Sequence, residues 1–379
     1  MSTITVKVGT TIERAKVRNM LFRNFVAALL AIGALSPGVL RAQAPNFVQT
    51  NLVSDVGGLA TITDSNLVNP WGVSHNQTSP FWVSNQGTST ATIYAVTGET
   101  NITKVNLVVT IPKTAAGPQG PTGQVNNSNA SSFPVLNGDG RPAIFIFANL
   151  NGSISAWDKV GSPAVIQVTT PGAVYTGLAI NGAQTRLYAA NAAQGKVDVF
   201  DSTFSPLSLS ANAFVDPSLP AGLVPFNVQD INGDVYVVYA PAGRTNQVNA
   251  QLGEGAVAVF DEDGNFIKQL VAGSRLAAPW GITMAPPSFG RFSNHLLVGN
   301  FSYLHSEINA FDPINGSFHG TIPISAGANR PGGLWAIQFG VGGNNGSPDI
   351  LYFTDGINGE ADGLFAAISP PAAAPENAQ

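Results

Sequence analysis

The sequence contains no cysteine. That excludes disulfides, a thiolate nucleophile and cysteine-built zinc or iron–sulfur sites, so a large core must stabilise the fold. Charge is scarce as well: Asp, Glu, Lys and Arg make up 10% of the chain, against about 25% in an average soluble protein. The 17 basic and 22 acidic residues leave a net charge of −5. This argues against the broad basic footprint that nucleic acid or an anionic membrane surface requires. The apolar run at 25–35 falls short of the roughly 20 residues of a spanning helix, so no membrane span is expected in the mature chain. What is abundant is 44% hydrophobic residues with 41 Gly and 26 Pro among 379 positions. That composition suits strands and tight turns better than long solvated helices.

The first 44 residues read as an address. Arg14, Lys16, Arg18 and Arg23 precede the apolar run, then come Ser36-Pro37-Gly38 and Ala42-Gln43-Ala44. A basic segment, a short apolar core and small residues at a cleavage point describe a secretory signal peptide. Cleavage falls after Ala42 or Ala44, and Met20 is an alternative start. The expectation is export to a periplasmic or extracellular compartment. Residues 370–379, rich in Pro and Ala, read as a disordered tail.

Between these ends the chain repeats. Pro70-Trp71-Gly72-Val73 returns as Pro279-Trp280-Gly281-Ile282, with looser copies around Thr122, Thr176, Phe226 and Trp335. These marker positions are spaced by 51, 54, 50, 54 and 55 residues. Each copy continues with an apolar run ending in a polar residue, such as Phe81-Trp82-Val83-Ser84-Asn85 or Leu296-Leu297-Val298-Gly299-Asn300. An alternating segment closing on an aromatic residue and Asp follows, as in Val257-Ala258-Val259-Phe260-Asp261, and then a fourth strand. Four short strands per unit and six units predict an all-β chain forming a six-bladed β-propeller over residues 45–369, with four-stranded blades. The sixth unit lacks a fourth strand, while Phe47 to Val53 is a spare strand ahead of the first. Pairing that N-terminal strand into the last blade closes the ring and removes an open edge.

With these Pro-Trp-Gly starts, Asn-ended second strands and aromatic-Asp third strands, the chain resembles six-bladed propellers of the NHL-repeat and gluconolactonase/regucalcin-like type. It also resembles a family of exported bacterial propellers, some of which carry C-terminal sorting tails. No hydrophobic sorting tail is expected here. The resemblance implies a fold more strongly than a function, because propellers host enzymes, binders and scaffolds alike.

The start of each first strand and the end of each second strand are expected to meet at one rim of the central channel. Asn69, Asn85, Asn149, Asn191, Asn300 and Asp355 fall there. Amide and carboxylate oxygens are calcium ligands, and the lactonase-like resemblance implies a divalent-metal site on this face. Asn85, Asn149, Asn191, Asn300 and Asp355 are therefore candidate ligands for Ca2+ or another divalent cation, with Glu254, Glu307, Glu360 or Asp362 able to reach in from loops. The competing reading is that strand-end Asn residues bond their own turns. Trp71, Trp280 and Trp335, with Asn69, could form a ligand-binding rim by stacking on a sugar or aromatic ring, or could simply pack between blades. His305 with Glu307 is the one candidate for a general base and its partner. Two functions follow. One is a monomeric binding or scaffold module that holds a small polar ligand, polymer or protein at the rim. The other is a metal-dependent lactonase or related hydrolase/lyase, in which the ion polarises a carbonyl.

Overall fold

The computed structural model describes residues 46–114, 117–136, 138–159 and 163–371. The expected signal peptide and its cleavage point, and most of the expected tail, lie outside the described residues. Six sheets follow one another along the chain, antiparallel except that the short strand Ile62–Thr63 adds in parallel to the N-terminal strand of the last. Blade one comprises Pro70–Ser74, Phe81–Asn85, Thr90–Thr97 and Asn101–Thr110. Blade two comprises Pro121–Asn126, Phe145–Asn149, Ser153–Trp157 and Val165–Thr169. Blade three has three regular strands, Tyr175–Ile180, Arg186–Asn191 and Lys196–Asp201. Its outer edge is an irregular segment in which Ser205 O accepts from Asp201 N and Leu207 N donates to Val199 O. Pro206 between them has no N–H to donate. Blade four comprises Leu223–Ile231, Asp234–Pro241, Ala256–Phe260 and Phe266–Ala272, and blade five Pro279–Met284, Leu296–Asn300, Glu307–Phe311 and Phe318–Pro323. Blade six comprises Leu334–Phe339, Leu351–Asp355 and Leu364–Ser369, completed by the N-terminal strand Val48–Ser54. That strand pairs antiparallel with Leu364–Ser369 from Val48↔Ser369 to Ser54↔Leu364. The ring is thus closed as expected, and each inner strand packs on the next, with that of blade six returning to blade one.

The inner strands carry the feature that shapes the channel. In every blade the register between first and second strand slips at the marker: Pro70/Val73, Pro121/Gln124, Tyr175/Gly177, Pro225/Asn227, Pro279/Gly281 and Leu334/Ile337. A bulge adds a residue on one strand and re-aims its side chain. Here it recurs at Trp71, Thr122, Thr176, Phe226, Trp280 and Trp335. In four blades the residue after the marker is glycine (Gly72, Gly123, Gly177 and Gly281), and the neighbouring blade requires it. A Cβ on Gly72 would strike the carbonyl of Thr122, and one on Gly123 the amide of Leu178. Apolar clusters fill the spaces between successive sheets, and among the described residues no helix is long and apolar enough to cross a membrane.

Candidate binding site at the channel mouth

The marker residues meet as an aromatic plug. Trp71 stacks on Trp335 with ring centroids 3.4 Å apart and an interplanar angle of 20°. Trp280 stands edge-on to both, at 6.1 Å from Trp71 and 5.6 Å from Trp335. Phe226 joins at 5.9 Å from Trp335. All four are buried, so the tryptophans pack between blades as well as lining the axis. Two of the three indole N–H groups are satisfied: Trp280 Nε1 donates to Thr176 O at 2.8 Å and Trp335 Nε1 to Asn69 Oδ1 at 3.0 Å. Trp71 Nε1 is buried without a partner.

Asn69 is held for this role. Its backbone takes a left-handed φ of 45°, a conformation Asn tolerates better than most residues. Its Nδ2 donates to Gln86 Oε1 at 2.8 Å, and Gln86 Nε2 donates in turn to Gln119 O at 2.8 Å. On the strand-start side of the plug lies a cavity of about 410 Å³, whose walls include Asn69, Trp71, Gln86, Phe226, Arg244 and Glu360. On the other side the channel narrows to about 110 Å³ lined by the glycines and by Gln124, Gln229 and Gln338.

Three rim loops converge on one cation above the plug. Arg244 opens the short helix Arg244–Val248 between two strands of blade four. It forms an ion pair with Glu360 from the last rim loop of blade six. It also donates to Tyr303 Oη at 3.1 Å and lies over the Phe301 ring at 4.4 Å. Burial pulls the Arg244 pKa down. The sequence analysis placed Glu360 on a rim loop but missed Arg244. The signal for it was slight, a lone basic residue in a long rim loop.

The strand ends do lie opposite the first-strand starts: Asn85 faces Pro70, Asn149 faces Pro121, Asn191 faces Tyr175, Asn300 faces Pro279 and Asp355 faces Leu334. The asparagine side chains are engaged locally. Asn85 Nδ2 donates to Thr90 and Thr92, and Asn149 Nδ2 to Ser153 O and Ser155. Asn191 donates to Asp198 and accepts from Val174 and Gln194, while Asn300 accepts from Ala277 N and donates to Arg275 O. The oxygens left without partners are Asn85 Oδ1, Asn149 Oδ1 and Asp355 Oδ1, in three different blades. Among the loop carboxylates, Glu254 accepts from Gln251 N and Asp362 from Asn358. His305 and Glu307 line one small pocket with Asp355, but Glu307 is bonded to Arg275 at 3.2 Å. Among the described residues no three or more His, Asp or Glu side chains gather as a metal-holding group. The pair the sequence did not reveal is His295 with His319, whose ring centroids are 4.4 Å apart on the outside of blade five.

The fold and this site define a six-bladed propeller with a plugged channel and a cavity at its mouth. No protein-family model matches the chain. The chain is similar to an uncharacterized protein of Acanthamoeba polyphaga mimivirus, at 28% identity over 378 residues covering 96% of this chain and 90% of the relative. A second uncharacterized protein of that virus is 29% identical over 332 residues, covering 84% of each chain. A third is 30% identical over 203 residues, covering 51% of this chain and 37% of the relative. These relatives are viral, so the bacterial origin implied by the resemblance finds no support in them. Among solved structures, hydrazine synthase of Kuenenia stuttgartiensis aligns at 14% identity and a TM-score of 0.48, covering 79% of this chain and 76% of that one. A gluconolactonase of Xanthomonas campestris aligns at 16% and 0.41, covering 60% of this chain and 72% of that one. A protein of unknown function from Bacteroides thetaiotaomicron aligns at 12% and 0.49, covering 85% and 76%. Likeness at these levels carries no statement about activity.

Proposed function

We propose that this chain is an exported binding propeller that captures a small ligand in the cavity at the channel mouth. The observation that carries the reading is the Trp71 indole, whose buried Nε1 lacks an acceptor in the wall of a cavity of about 410 Å³. An unmade hydrogen bond of this kind costs about 1–3 kcal/mol, and a ligand that supplies the acceptor recovers it. Trp71 and Phe226 offer apolar ring surface, and Asn69, Gln86 and the Arg244–Glu360 pair offer polar contacts at the edge. This suits a cyclic ligand with one flat apolar face and an acceptor on its rim, such as a sugar or an aromatic acid. The export part rests on the leader-like residues 1–44, and amino-terminal sequencing of the secreted chain checks it: a start at Gln43 or Pro45 agrees, an intact leader does not.

The second reading, a divalent-metal lactonase, draws on the free oxygens of Asn85, Asn149 and Asp355. It is the weaker one because calcium takes six to eight oxygens at about 2.3–2.6 Å, and each amide here is tied into its own blade.

Titration calorimetry of wild type and Trp71→Phe against monosaccharides, oligosaccharides and aromatic carboxylates tests the binding reading. Saturable binding that weakens at least tenfold in Trp71→Phe supports it. Binding unchanged by that substitution, or no binding across the panel, overturns the assignment to this cavity.

A further inference from the structure

Asp355 is a buried carboxyl with an unpartnered oxygen. It ends the second strand of blade six, is 2% exposed, and its Oδ1 has no hydrogen-bond partner. Burial alone pushes its carboxyl up to about 7. Asp355 lines a pocket of about 190 Å³ beside the channel mouth. The blade-five loop contributes Tyr303 and His305 to that pocket, and the start of the next strand contributes Glu307. The segment joining blades five and six contributes the apolar Ile324, Ala326 and Pro331. Leu304, also in its wall, is 54% exposed, so the pocket opens to solvent.

We propose that this pocket binds a small primary ammonium ion, with the Asp355 carboxylate as its counter-ion. Two carboxyl groups and a tyrosine ring share the wall, against one imidazole. The ring adds cation–π attraction worth about 0.5–2 kcal/mol, and the apolar residues accommodate a short alkyl stem. The fixed cations nearby are already engaged: Arg275 with Glu307, and Arg244 with Glu360 and Tyr303 Oη. An unpaired buried carboxylate is costly, and an opposite charge within about 4–6 Å reverses that cost by favouring the ionised form. A divalent ion fits less well, since no group of three or more acidic or histidine side chains assembles among the described residues.

A primary ammonium ion stays protonated between about pH 6 and 8, so its binding draws the proton from Asp355 and affinity rises as pH climbs. The other titratable groups facing the pocket are Tyr303, His305 and Glu307. Titration calorimetry of the full-length chain with propylammonium at about pH 6 and about pH 8 is the test, with affinity expected to rise about tenfold and protons to be released at the lower pH. Asp355→Asn abolishes binding, and His305→Gln leaves the pH profile in place. If Asp355→Asn does not fold, Ala326→Phe, which fills the pocket, serves instead and also abolishes binding. The proposal is overturned if propylammonium gives no saturable heat, or if 1-propanol binds equally well. It is equally overturned if calcium binds where the amine does not, or if the pH profile follows His305.

Discussion

The Trp71 ring lies flat on that of Trp335, 3.4 Å between centroids, and the two residues belong to blades one and six. Blade six is where the N-terminal strand Val48–Ser54 joins the three C-terminal strands. The stack therefore fastens the first repeat to the blade that holds both ends of the propeller. Trp280 braces it from blade five, and Asn69 fixes the height of Trp335 through its indole N–H. Within this layer the Trp335 indole N–H is satisfied by Asn69, whereas the buried Trp71 N–H has no partner.

Trp335→Ala is expected to cost about 3–5 kcal/mol, the range for truncating a fully buried tryptophan. Trp71→Phe keeps most of the ring contact and removes an N–H that bonds nothing, so its cost stays near or below about 1 kcal/mol. Urea unfolding of both variants measures the contrast. Equal losses would show that Trp71 Nε1 has a structural partner after all.

The marker glycines give a sharper packing test. Gly123→Ala drives a methyl into the backbone of Leu178, and Gly72→Ala into that of Thr122. Backbone cannot rotate away, so each should lose about 1–3 kcal/mol or more, as overpacking does. Gly57, with nothing within 4 Å of an added Cβ, is the control, and Gly57→Ala should change the melting midpoint little. A marker glycine that tolerates alanine equally well would mean the inner strands are less crowded than described.

The propeller was legible because its causes are local and repeated. Each first-strand start encodes a bulge at its marker residue, the two Pro-Trp-Gly copies most plainly, and six such starts at nearly equal spacing reveal the ring. The N-terminal closing strand could be inferred by counting strands in the last unit. Blade three departed from the pattern because Pro206 interrupts the ladder of its outer edge. The site was less legible. Arg244, Tyr303 and Glu360 come from three loops far apart in the chain, and only the ring brings them together. The strand-end asparagines were recognisable as a set, but whether their oxygens face a common point or their own hydroxyl neighbours depends on side-chain direction, which spacing does not encode. His295 and His319 escaped notice for a similar reason, since they come from different segments of one blade.

The rim asparagines yield a direct prediction about metal. With Asn191 and Asn300 fully engaged and Asn85 and Asn149 bonded inside their blades, added calcium, magnesium, manganese or zinc should leave the melting midpoint where EDTA leaves it. A site filled at 100 times its dissociation constant would stabilise the fold by about 2.7 kcal/mol, which thermal unfolding detects easily. A shift of that kind, lost in Asp355→Ala, would restore the metal-dependent reading and call for a lactone and ester screen.

The Arg244–Glu360 pair is partly open to solvent, with side-chain exposures of 42% and 15%. Screening limits such a pair to about 1 kcal/mol, and a double-mutant cycle of Arg244→Ala and Glu360→Gln should return coupling of that order. The larger effect is expected on the cavity, because the pair bridges loops from blades four and six across its mouth. Either single variant should speed association of any ligand that Trp71 binds more than it changes stability. Coupling well above this, with unchanged association rates, would make the pair a structural clamp instead.

The last prediction concerns pH, with Asp355 as the reporter. Its folded pKa is raised by burial to about 7 from an ordinary value of 3.8. Below 3.8 the carboxyl is protonated in both folded and unfolded chains, and its neutral form contributes in full. As pH rises, the unfolded chain releases the proton while the folded one keeps it, so stability falls by about 1.4 kcal/mol per pH unit at most. The fall ends near 7, where the folded carboxyl ionises too. His75 runs the other way: burial between its bonds to Asn76 O and Phe339 O lowers its pKa, so its contribution is lost as pH falls. Asp355→Asn cancels the first effect and leaves the second, so the variant should gain on wild type steadily from about pH 4 to about pH 7 and then hold a constant lead. Urea unfolding across that window measures the gap. A gap that does not vary with pH would mean Asp355 is ionised throughout, and a carboxylate ionised in that position would require a permanent positive partner beside it.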